Sequence, residues 1–251
     1  MELKMDRWKY FNITHEYQEI CDPISSVKID ELVGLLKLKK GSTILDIACG
    51  KGEITTRIAE RYEVSGVGVD FSPYFAAHTK RKLKERAPKA NLEVLEMDGA
   101  DYRSNRLFDL SMCIGASWIF KGHRGTLKAL KSLTKPGGLI IAGEPFWIKE
   151  PEQAYLEAEN CTREAWGTHS ENVLTGEDEG LFPLYTLVSN QDDWDRYETL
   201  QWWAAKDFTR ANPEDKDIKE VLEMIDLQRK IYLRWGRDTV GWAIYVFQNK
   251  G

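Results

Sequence analysis

Thr43-Ile44-Leu45-Asp46-Ile47-Ala48-Cys49-Gly50-Lys51-Gly52, followed downstream by Val67-Gly68-Val69-Asp70, decides the fold of this chain. Ile44 to Ile47 is a short apolar run of the kind that forms a buried strand. A glycine loop follows it, and Glu53 to Tyr62 reads as a helix. Backbone approaches a ligand closely only where side chains are absent, so Gly50 and Gly52 leave room for a cofactor. A second buried strand, Val67 to Val69, ends in the carboxylate of Asp70. The interval from loop to acid is about the 20 residues at which a carboxylate beside a nucleotide-binding loop reaches a ribose hydroxyl.

The loop departs from the dinucleotide fingerprint, because Thr55 and Thr56 occupy the region of its third glycine. It also lacks the Gly-Lys-Ser/Thr of a phosphate loop, since Lys51 lies between the glycines and not after them. Asp46, at the end of the first strand, repels a pyrophosphate and attracts an amine or sulfonium. These features favour S-adenosylmethionine, which has a cationic amino acid end, a sulfonium and a ribose.

The chain resembles the class I S-adenosylmethionine-dependent methyltransferases. Ile44 to Glu53 is similar to their first motif and Gly68-Val69-Asp70 to their second. Glu96-Met97-Asp98-Gly99-Ala100 resembles the third, whose acid commonly faces the adenine amine. Leu107 to Leu110 running into Cys113-Ile114-Gly115 resembles the fourth strand. Leu133-Thr134-Lys135-Pro136-Gly137-Gly138-Leu139-Ile140-Ile141 resembles the Leu-Lys-Pro-Gly-Gly turn and fifth strand. Five motifs in order over residues 43 to 143 make the resemblance specific. It implies a Rossmann-like α/β fold with a seven-stranded, mostly parallel sheet whose last strand is antiparallel. It assigns cofactor contact to Asp46, Ala48, Gly50, Gly52, Asp70, Phe71, Met97, Asp98, Gly99 and Ile114. Ala48 stands where the family usually has glycine, and an alanine with ordinary dihedrals predicts a minor loop adjustment.

At 251 residues, with 42% apolar residues, the chain reads as one domain. Residues 1–40 form an N-terminal helical segment, whose aromatic stretch Phe11 to Tyr17 corresponds to a part that often folds over the cofactor in the family. Residues 41–147 form the cofactor-binding core. Residues 148–180 and 191–236 are cap insertions, and 181–190 and 237–251 hold the last two strands, read at Tyr185 to Ser189 and Gly241 to Phe247. Asp192 or Asp193 is expected to cap a helix with the stripe Trp194, Tyr197, Leu200, Ala204 and Phe208. Asn212-Pro213 is expected to open a second helix, buried through Ile218, Val221, Leu222, Ile225, Tyr232 and Trp235 and ended by Gly236. Ile114 to Ile119, Gly143 to Trp147, Asp193 to Glu198 and Gly241-Trp242 resemble a subgroup of bacterial and archaeal small-molecule methyltransferases with such a helical cap.

Net charge is −5, which argues against a nucleic-acid partner. The basic helix from Lys80 to Lys89 reads as a solvated face. Met1 to Tyr10 has no apolar core of a signal peptide, and no run approaches the roughly 20 apolar residues of a membrane span. Cys21, Cys49, Cys113 and Cys161 show no pairing pattern or metal spacing, so reduced thiols in a cytoplasmic protein are the simplest account. No residue cluster indicates a metal.

The acceptor pocket is expected to draw on Trp118, Glu144, Trp147, Tyr197 and Trp202. Trp202 and Trp203 lie about 100° apart on a helix, so at most one sits at the centre of the buried stripe. Glu144 and His169 are the candidate bases. Methyl transfer from a sulfonium needs alignment and exclusion of water, and a base only for a protonated acceptor. The leading reading is a small-molecule methyltransferase acting on O, N or C. An RNA or protein methyltransferase and a non-catalytic cofactor-binding subunit are the alternatives. Oligomeric state is open.

Overall fold

The computed structural model describes residues 4–251; the first three residues of the N-terminal segment lie outside it. Seven strands form one sheet: β1 Thr43–Ile47, β2 Ser65–Asp70, β3 Asn91–Glu96, β4 Phe108–Ile114, β5 Thr134–Trp147, β6 Leu181–Val188 and β7 Val240–Asn249. Their order is β3-β2-β1-β4-β5-β7-β6. The first five are parallel; β7 runs antiparallel to both β5 and β6. Parallel crossovers place helices on both faces. On one face pack α2 Ser26–Leu35, α3 Glu53–Tyr62 and α4 Pro73–Arg86. On the other pack α5 His123–Leu133 and α7 His169–Asp178. The other helices of seven or more residues are α1 Arg7–Thr14, α6 Gln153–Glu159, α8 Gln191–Ala211 and α9 Ile218–Ile231.

The basic helix α4 is tied down in part. Glu53, almost wholly buried, is met by Arg57 and Lys82 at 2.7 Å and by Arg86 at 2.8 Å. Burial pushes its carboxyl up, but bonds from Lys82 and Arg86 prevail and hold it at about 2.

Four details differ from the sequence reading. The cap of α8 is Asn190, whose side chain accepts from the Asp193 N–H while Asp193 reaches back to the Asn190 N–H. Asp193 is thus the third helical residue of a capping box. Helix α9 begins at Ile218, after Asp217, and Pro213 sits in the preceding turn; Leu222 of the expected buried face is exposed. Gly236 lies in a π-helical turn, Tyr232–Gly236, and helical backbone continues to Thr239. Strand β6 begins at Leu181, four residues before the alternating run suggests, with a register shift beside Pro183. Proline is tolerated there because β6 is an edge strand.

Helix α6 of the first insertion packs on α9 of the second, but α7 and α8 go to different places. Helix α7 lies flat on the sheet because Gly176 has no side chain: a β-carbon there would stand 2.1 Å from the Phe247 ring. Helix α8 instead packs on α1 and α9 above the strand ends.

Candidate functional site

The site begins with three left-handed residues in the loop after β1: Ala48 at φ 61°, Gly50 at 56° and Gly52 at 70°. Glycine takes this conformation freely, whereas alanine pays about 1–2 kcal/mol. Ala48 therefore keeps the glycine geometry, in place of the ordinary dihedrals expected for it. At Gly52 a β-carbon would stand 2.4 Å from Thr79 Cγ2. At Gly50 it would project into open space, meeting only Cys21 Sγ at 3.9 Å. The loop thus presents bare backbone to the cavity.

Two carboxylates frame this loop. Asp70 accepts the Gly50 and Ser72 N–H groups, each at 2.8 Å. Burial still pushes it up to about 6, against the pull of those two bonds. Asp46 accepts from the Thr55 hydroxyl. Burial pushes it up to about 7, with Asp70 and Asp22 adding to the rise and Thr55 opposing it. With the Gly50 donor spent on Asp70 and acids on both sides, the loop repels phosphate and suits a cation. Asp98 accepts the Ala100 N–H at 2.8 Å, capping the short turn Gly99–Asp101, and also lines the cavity.

These elements enclose a cavity of about 580 Å³ at the carboxyl ends of the parallel strands. Asp46, Ala48, Gly50, Gly52, Asp70, Asp98, Gly99 and Ile114 line it, and so does the half-exposed Phe71. Helix α1 covers it with Trp8 and Phe11, and the chain beyond adds His15 and Asp22. Helix α8 contributes Trp194 and Tyr197, one turn apart, and the sheet contributes Pro145 and its neighbour across the ladder, Trp242. Trp118 lies at the mouth, 55% exposed, with the Arg7 guanidinium 5.2 Å from its ring centre.

The cover is polar where it meets the loop. The buried Lys51 ammonium donates to the His15 carbonyl at 2.7 Å and to that of Glu16 at 3.3 Å. His15 is neutral, because burial lowers it to about 4. Its Nδ1 lies 3.0 Å from the Phe11 carbonyl oxygen and donates to it, so Nε2 accepts from the Tyr197 hydroxyl at 3.1 Å.

Five of the sequence-selected residues stand outside the cavity lining. Met97 packs into the core on the α5 side. Glu144 alternates with the cavity-facing Pro145 along β5 and therefore points through the other face. There it is 2% exposed and accepts from the Ser117 hydroxyl at 2.9 Å, with Oε2 unpartnered among the described residues. Trp147 donates its indole N–H to the Arg163 carbonyl and packs on Trp166 in a satellite core. Trp202 packs between α1 and α9, while Trp203 is 64% exposed. His169 contacts the Tyr245 hydroxyl at 3.2 Å and lies edge-on to Phe146. None of residues 148–180 lines the cavity. Arg7, Trp8, Asp22, Lys51, Trp194 and Trp242 line it without having been selected. The aromatic N-terminal stretch and Gly241-Trp242 signalled some of these; a lone acid before Pro23 carried no signal.

The family of methyltransferase domains matches residues 44–138. An uncharacterised protein of Escherichia coli K12, YjhP, is 30% identical over 247 residues, covering 96% of this chain and 98% of that one. A methyltransferase of Thiobacillus denitrificans, solved with S-adenosylhomocysteine, superposes with a TM-score of 0.88 at 31% identity, covering 97% and 99%. One from Geobacter sulfurreducens, also with S-adenosylhomocysteine, gives 0.90 at 27% identity, covering 98% and 99%.

Proposed function

The chain belongs to the class I S-adenosylmethionine-dependent methyltransferases, and from that premise we propose that its acceptor is a small molecule held inside the cavity. The observation that carries this reading is the size and cover of the cavity. The space of about 580 Å³ lies under α1 and α8, with the cofactor motifs on its floor. A volume of this order suits a cofactor and a metabolite, not a folded RNA or protein.

Bound S-adenosylmethionine supplies a methyl group activated by its sulfonium. Asp70 would hold the ribose hydroxyls with the lone pairs its two backbone bonds leave free. Asp46 and the bare loop would receive the cationic methionine end, while Phe71 and Asp98 flank the base and Ile114 gives apolar contact. Trp8, Phe11, Trp194 and Tyr197 line the cavity and would exclude water and align the acceptor with the methyl group. Free cysteines at positions 21, 49, 113 and 161 support a reducing, cytoplasmic setting.

A labelled-methyl assay on a metabolite extract, split by a size filter, tests the proposal. Label in the small fraction is the expected result. Label confined to nuclease- or protease-sensitive material overturns it.

A further inference from the structure

Asp22 is the one acid of the cavity without a hydrogen-bond or ion-pair partner among the described residues. Asp46 has Thr55, Asp70 has two backbone N–H groups, and Asp98 caps a turn. No described residue donates a hydrogen bond or presents a cation to the Asp22 carboxylate, and burial alone pushes it up to about 7. Asp22 is half-buried in the cavity lining, and a partly desolvated acid without a partner gains from a ligand that completes it.

Its position says which ligand. The sheet order across the cavity floor is β2, β1, β4, β5, β7. Asp70, assigned above to the ribose, ends β2, and Asp46, assigned above to the methionine end, lies on β1. Asp22 lies beyond both, over the end of β4: a β-carbon on Gly115 would be 1.9 Å from its Oδ1. Past it on β5 and β7 stand Pro145 and Trp242, and Trp194 and Tyr197 of α8 line the same cavity. A lone carboxylate beside aromatic walls is the arrangement that recognises an organic cation, through a charge-assisted bond and ring faces.

Resting on the small-molecule reading above, we propose that the acceptor is an amine, and that Asp22 binds its ammonium and takes its proton. The balance is simple. One N–H proton passes to the Asp22 carboxylate and then to solvent. The freed nitrogen lone pair forms the new N–C bond, the C–S bond breaks, and its electron pair stays on sulfur as the neutral thioether. The product leaves as the methylated ammonium. Asp22 is then a catalytic residue, and the space left by Gly115 is what seats it.

The test uses the full chain saturated with S-adenosylhomocysteine, titrated with benzylamine and with its uncharged counterpart benzyl alcohol. Benzylamine is expected to bind about tenfold more tightly. In Asp22→Asn and Asp22→Ser that preference disappears, while S-adenosylhomocysteine affinity, which also reports folding, stays within about twofold. Equal affinity for the two probes in the unaltered protein overturns the amine assignment and leaves the small-molecule reading standing. A large loss of S-adenosylhomocysteine affinity in folded Asp22→Asn overturns it too, because Asp22 would then serve the methionine ammonium. Failure of the unaltered protein to bind S-adenosylhomocysteine overturns both readings.

Discussion

The Lys51 ammonium donates to the His15 carbonyl at 2.7 Å, so one buried cation joins the glycine loop to the N-terminal cover. Loop order and cover order are therefore coupled, and a ligand that settles one settles the other. Replacing Lys51 by Met removes a charged bond worth roughly 1.5–3 kcal/mol and leaves the Glu16 carbonyl unpaired, while that of His15 keeps the Gln18 N–H at 3.0 Å. Hydrogen exchange over residues 7–22 is expected to rise in Lys51→Met, with S-adenosylhomocysteine affinity falling about tenfold. Unchanged exchange would show that the cover stands without the tether.

Asp70 has a double task. It orders the loop through Gly50 and, in the proposed function, holds the ribose. Asp70→Ala is expected to weaken S-adenosylhomocysteine by about ten- to a hundredfold, corresponding to roughly 1.5–3 kcal/mol. Calorimetric titration of a folded variant decides it, and unchanged affinity removes Asp70 from the site.

Ala48 sits in a left-handed conformation, at φ 61°. Ala48→Gly relieves that strain but frees the unfolded chain, so the net gain is about 0.5 kcal/mol. Denaturant midpoints at constant slope measure it; a loss of stability would mean that the Ala48 methyl group packs favourably.

Asp46 and Asp70 rise from an ordinary 3.8 to about 7 and about 6 in the folded protein. An acid raised on folding stabilises the folded state fully below about pH 4 and loses that contribution as pH climbs through its folded value. The ligand-free protein is therefore expected to lose on the order of 4 kcal/mol between pH 5 and 8. A cationic ligand reverses the shifts, so binding near pH 6.5 should release protons. Calorimetry in buffers of different ionisation heat detects that release; equal heats would contradict it.

Glu144 is a buried acid outside the cavity, raised to about 7 chiefly by burial and opposed by the Ser117 bond. Glu144→Gln removes the ionisable group but keeps the shape. Stability at pH 8 is expected to rise by about 1 kcal/mol, with little change at pH 5 and none in S-adenosylhomocysteine affinity. A fall in affinity would bring Glu144 back toward the site.

The sequence by itself determined the strands, the order of the motifs and the floor of the site. Those features are local: an apolar run ending in glycines, or an acid at a strand terminus, is written in consecutive residues. Helix α3 runs from Glu53 to Tyr62, where its loop signal and apolar spacing place it. Tertiary structure decided the walls. Strand alternation turned Glu144 away and Pro145 inward. Helical phase sent Trp194 and Tyr197 to the cavity and Trp202 to the packing between α1 and α9. Gly176 laid α7 on Phe247 and kept that insertion off the site. Asp22 became part of the cavity only because the N-terminal segment folds back over β4, where Gly115 leaves room for its carboxylate. Contacts between residues so far apart in the chain depend on packing, which has no period in the sequence to announce it.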